Sequence, residues 1–188
     1  MRRLLCYGDS NTYGYDPRSC AGDRYPLSVR WTGRLGAAYE VINAGRNGRM
    51  IPRRSAEYEE IRGLLRRTGP ALFLVMLGTN DLLNFTGAEE AAARMRQFWE
   101  VVLPELGEAR PLLVAPPPMR PGEWTADPEL IGQSVRYAAL CGALAKELGI
   151  AFADAGRWEV GLTFDGVHFS EAGHRTFAEG LLKWNELE

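Results

Sequence analysis

The sequence predicts an α/β domain built on a mostly parallel sheet of about five strands. Short, uniformly apolar runs alternate with longer segments of helical periodicity, which is the pattern of strands and helices in this class. Most runs lack the polar–apolar alternation of a half-exposed strand, as expected for strands covered on both faces. The length of 188 residues fits one domain spanning residues 1–188, and a 46% hydrophobic content excludes wholesale disorder.

Five apolar runs are predicted to be the strands. They are residues 3–7, 40–43, 71–77, 111–115 and 150–153. The longest run, 71–77, is far shorter than the 18 or so apolar residues of a membrane-spanning helix. We therefore expect no membrane partner.

Four longer segments, residues 53–67, 89–106, 128–148 and 171–184, are predicted to be helices. Thr86 and Glu89 have the spacing of a capping box, Asp127 precedes a first-turn proline, and Ser170 is a suitable N-cap. Two connections, from residue 11 to about 31 and 116–127, are unusually long. Long loops are often functional, so we expect these two to line a pocket or to make contacts in a homo-oligomer.

Charge and cysteine content exclude several classes of function. The formal net charge of −2 gives no basic excess for nucleic acid. Three cysteines, with no CxxC pair, predict neither a disulfide framework nor a zinc site. The apolar stretch after the basic start covers only residues 4–7, too short for the core of a signal peptide, which predicts a cytoplasmic location.

Two histidines, His168 and His174, limit any histidine-dependent mechanism. Asp165 lies three residues before His168, and in a tight turn its carboxylate can orient the imidazole and leave Nε2 as a base. The DxxH spacing is common, so it is weak evidence by itself. His174 falls in the first turns of the last predicted helix, which favours a structural role.

A nucleophile and hydrogen-bond donors follow three of the predicted strands. Ser10 follows the first strand in the segment GDSN, although Thr12 rules out a G-x-S-x-G elbow. Gly48 lies in a glycine-containing turn after the second strand, and Asn80 follows the third. Ligands of open α/β sheets bind outside the carboxyl ends of the strands, so these residues are expected to converge there.

The four blocks at residues 8–10, 43–48, 78–81 and 165–168 resemble those of the SGNH (GDSL) hydrolase family, in the same order. The segment GDSNTYGYDP is most similar to its arylesterase and acyltransferase branch, although the usual leucine after the serine is Asn11 here. The resemblance implies a flavodoxin-like three-layer α/β/α sandwich and no cofactor. It implies Ser10 as nucleophile, His168 as base and Asp165 as its partner, with an oxyanion hole formed by Ser10, Gly48 and Asn80.

The leading hypothesis is a serine esterase that hydrolyses small-acyl esters, such as acetyl esters of sugars or aryl alcohols, through an acyl-enzyme. Acyl transfer to an alcohol or peroxide, a ligand-binding domain without activity, and a metal-dependent hydrolase are the alternatives. Arg46 and Arg49 flank Gly48 and are candidates to contact an anionic or sugar substrate. The aromatic residues of the long loops are candidates to line the pocket; these are Tyr13, Tyr15, Trp31 and Trp124.

Overall fold

The protein forms a five-stranded parallel sheet with helices on both faces. The structure is a computed structural model that describes residues 1–19 and 21–184; Cys20, one of the three cysteines considered above, lies outside the described residues. The strands are β1 (Arg2–Gly8), β2 (Tyr39–Gly45), β3 (Leu72–Met76), β4 (Arg110–Ala115) and β5 (Ala151–Asp154). Their order is β2-β1-β3-β4-β5, and every neighbouring pair is parallel. The predicted fold class is confirmed.

Within residues 1–19 and 21–184, seven α-helices surround the sheet. They are α1 (Ser10–Tyr13), α2 (Trp31–Arg34), α3 (Ser55–Thr68), α4 (Thr79–Leu83), α5 (Ala88–Val102), α6 (Pro128–Leu148) and α7 (Glu171–Lys183). The four long helices correspond to the four predicted ones. The short helices α1, α2 and α4 were not predicted, because four or five residues are too few to show a helical periodicity.

Alternate side chains of each strand enter two separate cores. Leu5 and Tyr7 of β1 pack on the face covered by α3, α5 and α6. Leu4 and Cys6 of the same strand pack on the opposite face, with residues of α2 and α7. This two-sided burial explains the uniformly apolar strands and produces the three-layer α/β/α arrangement.

Side chains near the helix ends explain where the structure departs from the predicted boundaries. Helix α3 begins at Ser55 rather than 53, because the Glu57 carboxylate accepts hydrogen bonds from the N–H groups of Arg53 and Arg54. The capping box predicted from Thr86 is wrong: Gly87 is the N-cap of α5, and the Thr86 hydroxyl accepts a hydrogen bond from an arginine instead. The caps predicted at Asp127 and Ser170 are confirmed.

The parallel register brings the loops that follow β1, β2 and β3 to one edge of the sheet. Gly8, the last residue of β1, pairs with Gly45 on one side and with Met76 on the other. The segments that carry Ser10, Gly48 and Asn80 therefore leave the sheet side by side. No helix within the described part of the chain is long and apolar enough to cross a membrane.

Candidate active site

Ser10, His168 and Asp165 form a continuous hydrogen-bonded chain at the carboxyl edge of the sheet. The Ser10 Oγ lies 3.0 Å from His168 Nε2, and His168 Nδ1 lies 2.7 Å from the Oδ2 of Asp165. All three side chains are buried. The structure therefore brings together the predicted nucleophile, base and orienting acid, and a carboxylate on Nδ1 leaves Nε2 facing the hydroxyl.

Small and capping residues make the chain turn sharply at Ser10. A Cβ at Gly8 would lie 2.9 Å from the carbonyl oxygen of Met76, so only glycine fits where the strand ends. Asp9 is the N-cap of α1, and its carboxylate accepts a 2.9 Å hydrogen bond from the Asn11 N–H. Ser10 is consequently the first residue of a helix, directly beyond the sheet edge.

Asp165 is held as an anion by a dense set of donors. Its Oδ1 accepts hydrogen bonds from the N–H groups of Val167 and His168, each 2.9 Å long, and from the Thr163 hydroxyl at 2.8 Å. Burial alone raises the pKa of the Asp165 carboxyl, but the hydrogen bonds from the His168 ring and the two N–H groups outweigh it. The net pKa lies well below its usual range, so this carboxylate stays charged at neutral pH.

Asn11 connects the nucleophile segment to the segment that carries His168. Its amide Nδ2 donates to the Val167 carbonyl at 3.1 Å, and its Oδ1 accepts from the Phe169 N–H at 2.9 Å. The two bonds flank His168 on both sides. In the sequence, Asn11 stands out only as a departure from the family pattern, but a polar side chain in place of a leucine is a signal that it has a partner.

The three predicted oxyanion donors lie on adjacent loops. Gly48 is exposed and has a φ of 70°, and no described residue accepts a hydrogen bond from its N–H. One amide hydrogen of Asn80 donates to the carbonyl of Arg49 at 3.1 Å, which ties α4 to the Gly48 loop. The Ser10 N–H, at the start of α1, also has no acceptor among the described residues. Gly45, the other glycine of that block, donates its N–H to the Asn43 side chain.

The arginines beside Gly48 differ in exposure and in their partners. Arg49 is buried; its guanidinium donates to the carbonyls of Gly8 and Ala44 and lies 4.1 Å from the Tyr7 ring. It holds the strand ends together, so the structure gives no support to substrate contact by Arg49. Arg46 is exposed and pairs with Glu60 at 3.4 Å.

His174 lies outside the chain of catalytic candidates. It is fully buried between the rings of Tyr25 and Phe169, and its Nδ1 accepts a hydrogen bond from the Trp31 N–H at 3.4 Å. Burial, with the charges of Arg34 and Arg30, lowers its pKa to about 3. These contacts give His174 a structural position in the core. Across the described residues, no group of three or more His, Cys, Asp or Glu side chains could hold a metal ion.

Two aromatic residues of the long loops contact His168. The ring centroids of Tyr15 and Trp124 lie 4.7 and 5.2 Å from that of the imidazole, in edge-to-face geometry. The second loop is fixed there because Trp124 N–H donates to the Asp165 carbonyl at 3.2 Å. Trp31 points elsewhere; its indole N–H donates to the Asn11 carbonyl and its ring packs on Phe177.

Several solved structures resemble the chain along its whole length. The M. smegmatis aryl esterase is 28% identical, with a TM-score of 0.85, and covers 100% of this chain and 99% of its own. A carbohydrate acetylesterase from Sinorhizobium meliloti is also 28% identical, with full coverage of both chains and a TM-score of 0.82. A protein described as an arylesterase from Agrobacterium tumefaciens is 31% identical, covers 96% of each chain and has a TM-score of 0.82.

The comparison with curated proteins found no significant match. The model of the GDSL-like Lipase/Acylhydrolase family matches residues 6–176, a range that includes all five predicted site residues. The chain belongs to the GDSL-like lipase/acylhydrolase family.

Proposed function

We propose that the protein is a serine esterase that hydrolyses carboxylic esters of small acyl groups through an acyl-enzyme. The observation that carries this proposal is the hydrogen-bonded chain from Ser10 Oγ through both nitrogens of His168 to Asp165. A serine hydroxyl is a poor nucleophile unless an adjacent base takes its proton. Here the base lies at hydrogen-bond distance and is itself oriented by a charged carboxylate.

In the first half-reaction, Ser10 Oγ attacks the ester carbonyl carbon while His168 Nε2 takes the hydroxyl proton. Negative charge develops on the carbonyl oxygen, and the N–H groups of Ser10 and Gly48 and the Asn80 amide are the donors that stabilise it. A single donor of this kind is worth about 2.7–4 kcal/mol. The tetrahedral intermediate then collapses, the bond to the alcohol oxygen breaks, and the imidazolium returns its proton to the departing alcohol.

In the second half-reaction, water repeats these steps on the acyl-enzyme. His168 takes a proton from water, the resulting hydroxide attacks the acyl carbon, and the same donors hold the second oxyanion. Collapse releases the carboxylic acid and returns the proton to Ser10. An alcohol or a peroxide in place of water would give acyl transfer or perhydrolysis with the same residues.

The structural neighbours support small esters as substrates. Two are aryl esterases and one is a carbohydrate acetylesterase. Acetyl esters of aryl alcohols or sugars are therefore the first candidates. The alternative of a ligand-binding domain without activity is less well supported, because it gives no reason for a buried serine aligned with a charged His–Asp pair.

The first test is hydrolysis of p-nitrophenyl acetate, butyrate and octanoate by wild type, Ser10→Ala and Ser28→Ala. Ser28 is an exposed loop serine, so its variant is a matched control. We expect acetate to be the best substrate and Ser10→Ala to lose at least about a thousandfold in kcat, since the nucleophile acts as a unit with its base. Ser28→Ala should match wild type.

A covalent label tests the acyl-enzyme route independently of the substrate chosen. Phenylmethylsulfonyl fluoride should sulfonylate Ser10 with loss of fluoride, which peptide mass spectrometry would locate. Ester turnover that persists in Ser10→Ala, or labelling at another residue, would refute the nucleophile assignment. Absence of turnover in all proteins, with no label, would favour the ligand-binding alternative.

We also propose that the protein acts as a homo-oligomer. Its support is the two long loops with aromatic residues, of which Trp124 is half exposed. Sedimentation velocity tests it, and a monomer at assay concentration would refute it. The cytoplasmic location stays a prediction that cell fractionation can check.

A further inference from the structure

A cavity of about 470 Å³ lies beside the candidate active site, between α4 and the start of α6. Its walls are mostly apolar and include Leu82, Leu83, Phe85, Trp124 and Leu130. Ligand pockets usually measure roughly 300–1,000 Å³, and an apolar cavity of roughly 150 Å³ already holds benzene. The space therefore suffices for an aromatic ring with a substituent.

Two walls of this cavity belong to segments that also carry or contact candidate site residues. Helix α4 carries Asn80, the predicted oxyanion donor, and two residues further along the same helix line the cavity. On the opposite wall, the Trp124 ring is perpendicular to the His168 ring, with centroids 5.2 Å apart. Trp124 therefore contacts both His168 and the cavity.

Phe85 lines the cavity in an unusual conformation. It follows the end of α4 with a φ of 60°, a position where glycine is preferred, and the residue is 99% exposed. The strained backbone is not offset by packing of the ring. Strain of this kind is typical of functional sites, so the exposed ring at the cavity calls for a role outside folding.

The charges around the cavity are all negative. Glu123, Asp127 and Glu129 are among its lining residues, which include no lysine or arginine. None of the three carboxylates forms an ion pair in the part of the chain that the structure describes. Asp127 caps α6 through the N–H of Glu129, and Glu129 accepts from Gln133. An anionic group is disfavoured here, whereas a cation would be attracted to the carboxylates and to the aromatic rings.

We infer that this cavity binds the alcohol portion of the ester, and that this portion is aromatic and uncharged or cationic. The inference rests on the proposed function, because the departing oxygen must face His168 Nε2 to receive its proton. That requirement places the alcohol rather than the acyl group beside Trp124. Phe85 and Trp124 then contact the aromatic ring, and the carboxylates exclude alcohols that carry a negative charge.

The first experiment varies the alcohol and the acyl group separately. Wild type, Phe85→Gly and Leu182→Ala are assayed on phenyl acetate, ethyl acetate and phenyl butyrate. Glycine accepts a positive φ, so the Phe85 variant is expected to fold, and Leu182 is an exposed apolar residue of α7. We expect Phe85→Gly to raise KM for both phenyl esters about five- to tenfold, with ethyl acetate and the Leu182→Ala control unchanged.

The second experiment tests the charge preference. The substrates are 4-acetoxybenzoate, which is anionic, and 4-acetoxy-N,N,N-trimethylanilinium, which is cationic, in wild type and Glu123→Gln. For each protein, kcat/KM for the cationic ester is divided by kcat/KM for the anionic ester. Comparing this cation-to-anion ratio between the two proteins cancels the intrinsic reactivity of each ester. We expect the variant to lower the cation-to-anion ratio about two- to fivefold at low salt, and added salt to shrink the effect.

Specific results would overturn the inference. One is a Phe85→Gly variant that affects ethyl and phenyl acetate equally, or that changes only the acetate-to-butyrate preference. Another is a change in sedimentation without a change in KM, which would mark the cavity as a contact between copies of the chain. Failure of the proposed function looks different, because turnover would then be either absent from every protein or indifferent to Ser10→Ala for every ester.

Discussion

Lowering the pH from 7 to 5 should remove about 2 kcal/mol of stability through one buried group, His174. Burial and the charges of Arg34 and Arg30 lower its pKa to about 3 in the folded protein, against an ordinary value of 6.5. Below pH 6.5 the unfolded chain binds a proton that the folded chain does not bind until about pH 3. The stability supplied by the neutral imidazole is therefore present at neutral pH and is lost as the pH falls through this window.

The magnitude follows from the two pKa values. At pH 5 the protonated form of the imidazole exceeds the neutral form about thirtyfold in the unfolded chain. This ratio corresponds to about 2 kcal/mol in the free energy of unfolding. By pH 4 the loss from this group reaches about 3 kcal/mol. Asp9 acts in the opposite direction, because burial raises its pKa to about 6 and the folded state binds its proton more readily than the unfolded state. Its contribution between pH 7 and 5 is about 1 kcal/mol, so wild type alone would show a smaller net effect.

The assay is therefore a difference measurement. Urea unfolding of wild type and His174→Asn is followed at several pH values between 7 and 4.5. The asparagine oxygen can accept the hydrogen bond from Trp31 N–H in place of Nδ1, and it does not titrate. We expect the variant to be less stable at pH 7, since a buried ring is lost, and the gap to wild type to close by about 2 kcal/mol at pH 5. A gap of constant size across this range would refute the reasoning.

Three further predictions concern the candidate site. Asp165→Asn should lower kcat for p-nitrophenyl acetate by about 10⁴-fold, by analogy with the serine-protease triad, and a decrease below tenfold would show that the carboxylate does not orient His168. Asn80→Ala should lower kcat about 10²–10³-fold with little change in KM, whereas a rise in KM alone would assign Asn80 to substrate binding. Asn11→Leu should lower kcat about a hundredfold, as expected when a base is misplaced by about 1 Å, and an unchanged kcat would show that other contacts position His168.

The class and order of the long strands and helices could be predicted from the sequence, because strands that are buried on both faces are apolar along their whole length. Runs such as 71–77 are apolar throughout, and Pro128 and Gly149 bound α6 as predicted. The short helices and the false capping box at Thr86 could not be read correctly. The short helices have too few residues to show a periodicity. At Thr86 the decisive contacts are not part of a capping pattern: Gln133, 45 residues from Ala88, accepts a hydrogen bond from the Ala88 N–H, and Arg94 donates to the Thr86 hydroxyl.

The site residues were predicted from four short blocks of sequence. Most of their contacts could not be predicted in this way and are seen only in the structure. Asp165 and His168 are close in sequence, so their pairing was accessible to spacing arguments. The bonds from Asn11 to the backbone on either side of His168 join positions 156 and 158 residues apart, which no local pattern indicates. The cavity is likewise built from separate segments, one around Leu82–Phe85 and the other around Trp124, and only the fold brings them together.

The bonds of Asn11 also have a consequence for the time at which activity arises during synthesis. Ser10 precedes its candidate base, His168, by 158 residues, and the segment that Asn11 contacts lies equally far along the chain. Until both segments have been synthesised and brought together, the Ser10 hydroxyl has no imidazole to take its proton. If the proposed esterase activity is correct, the onset of ester turnover during refolding would therefore report that these two distant segments have met.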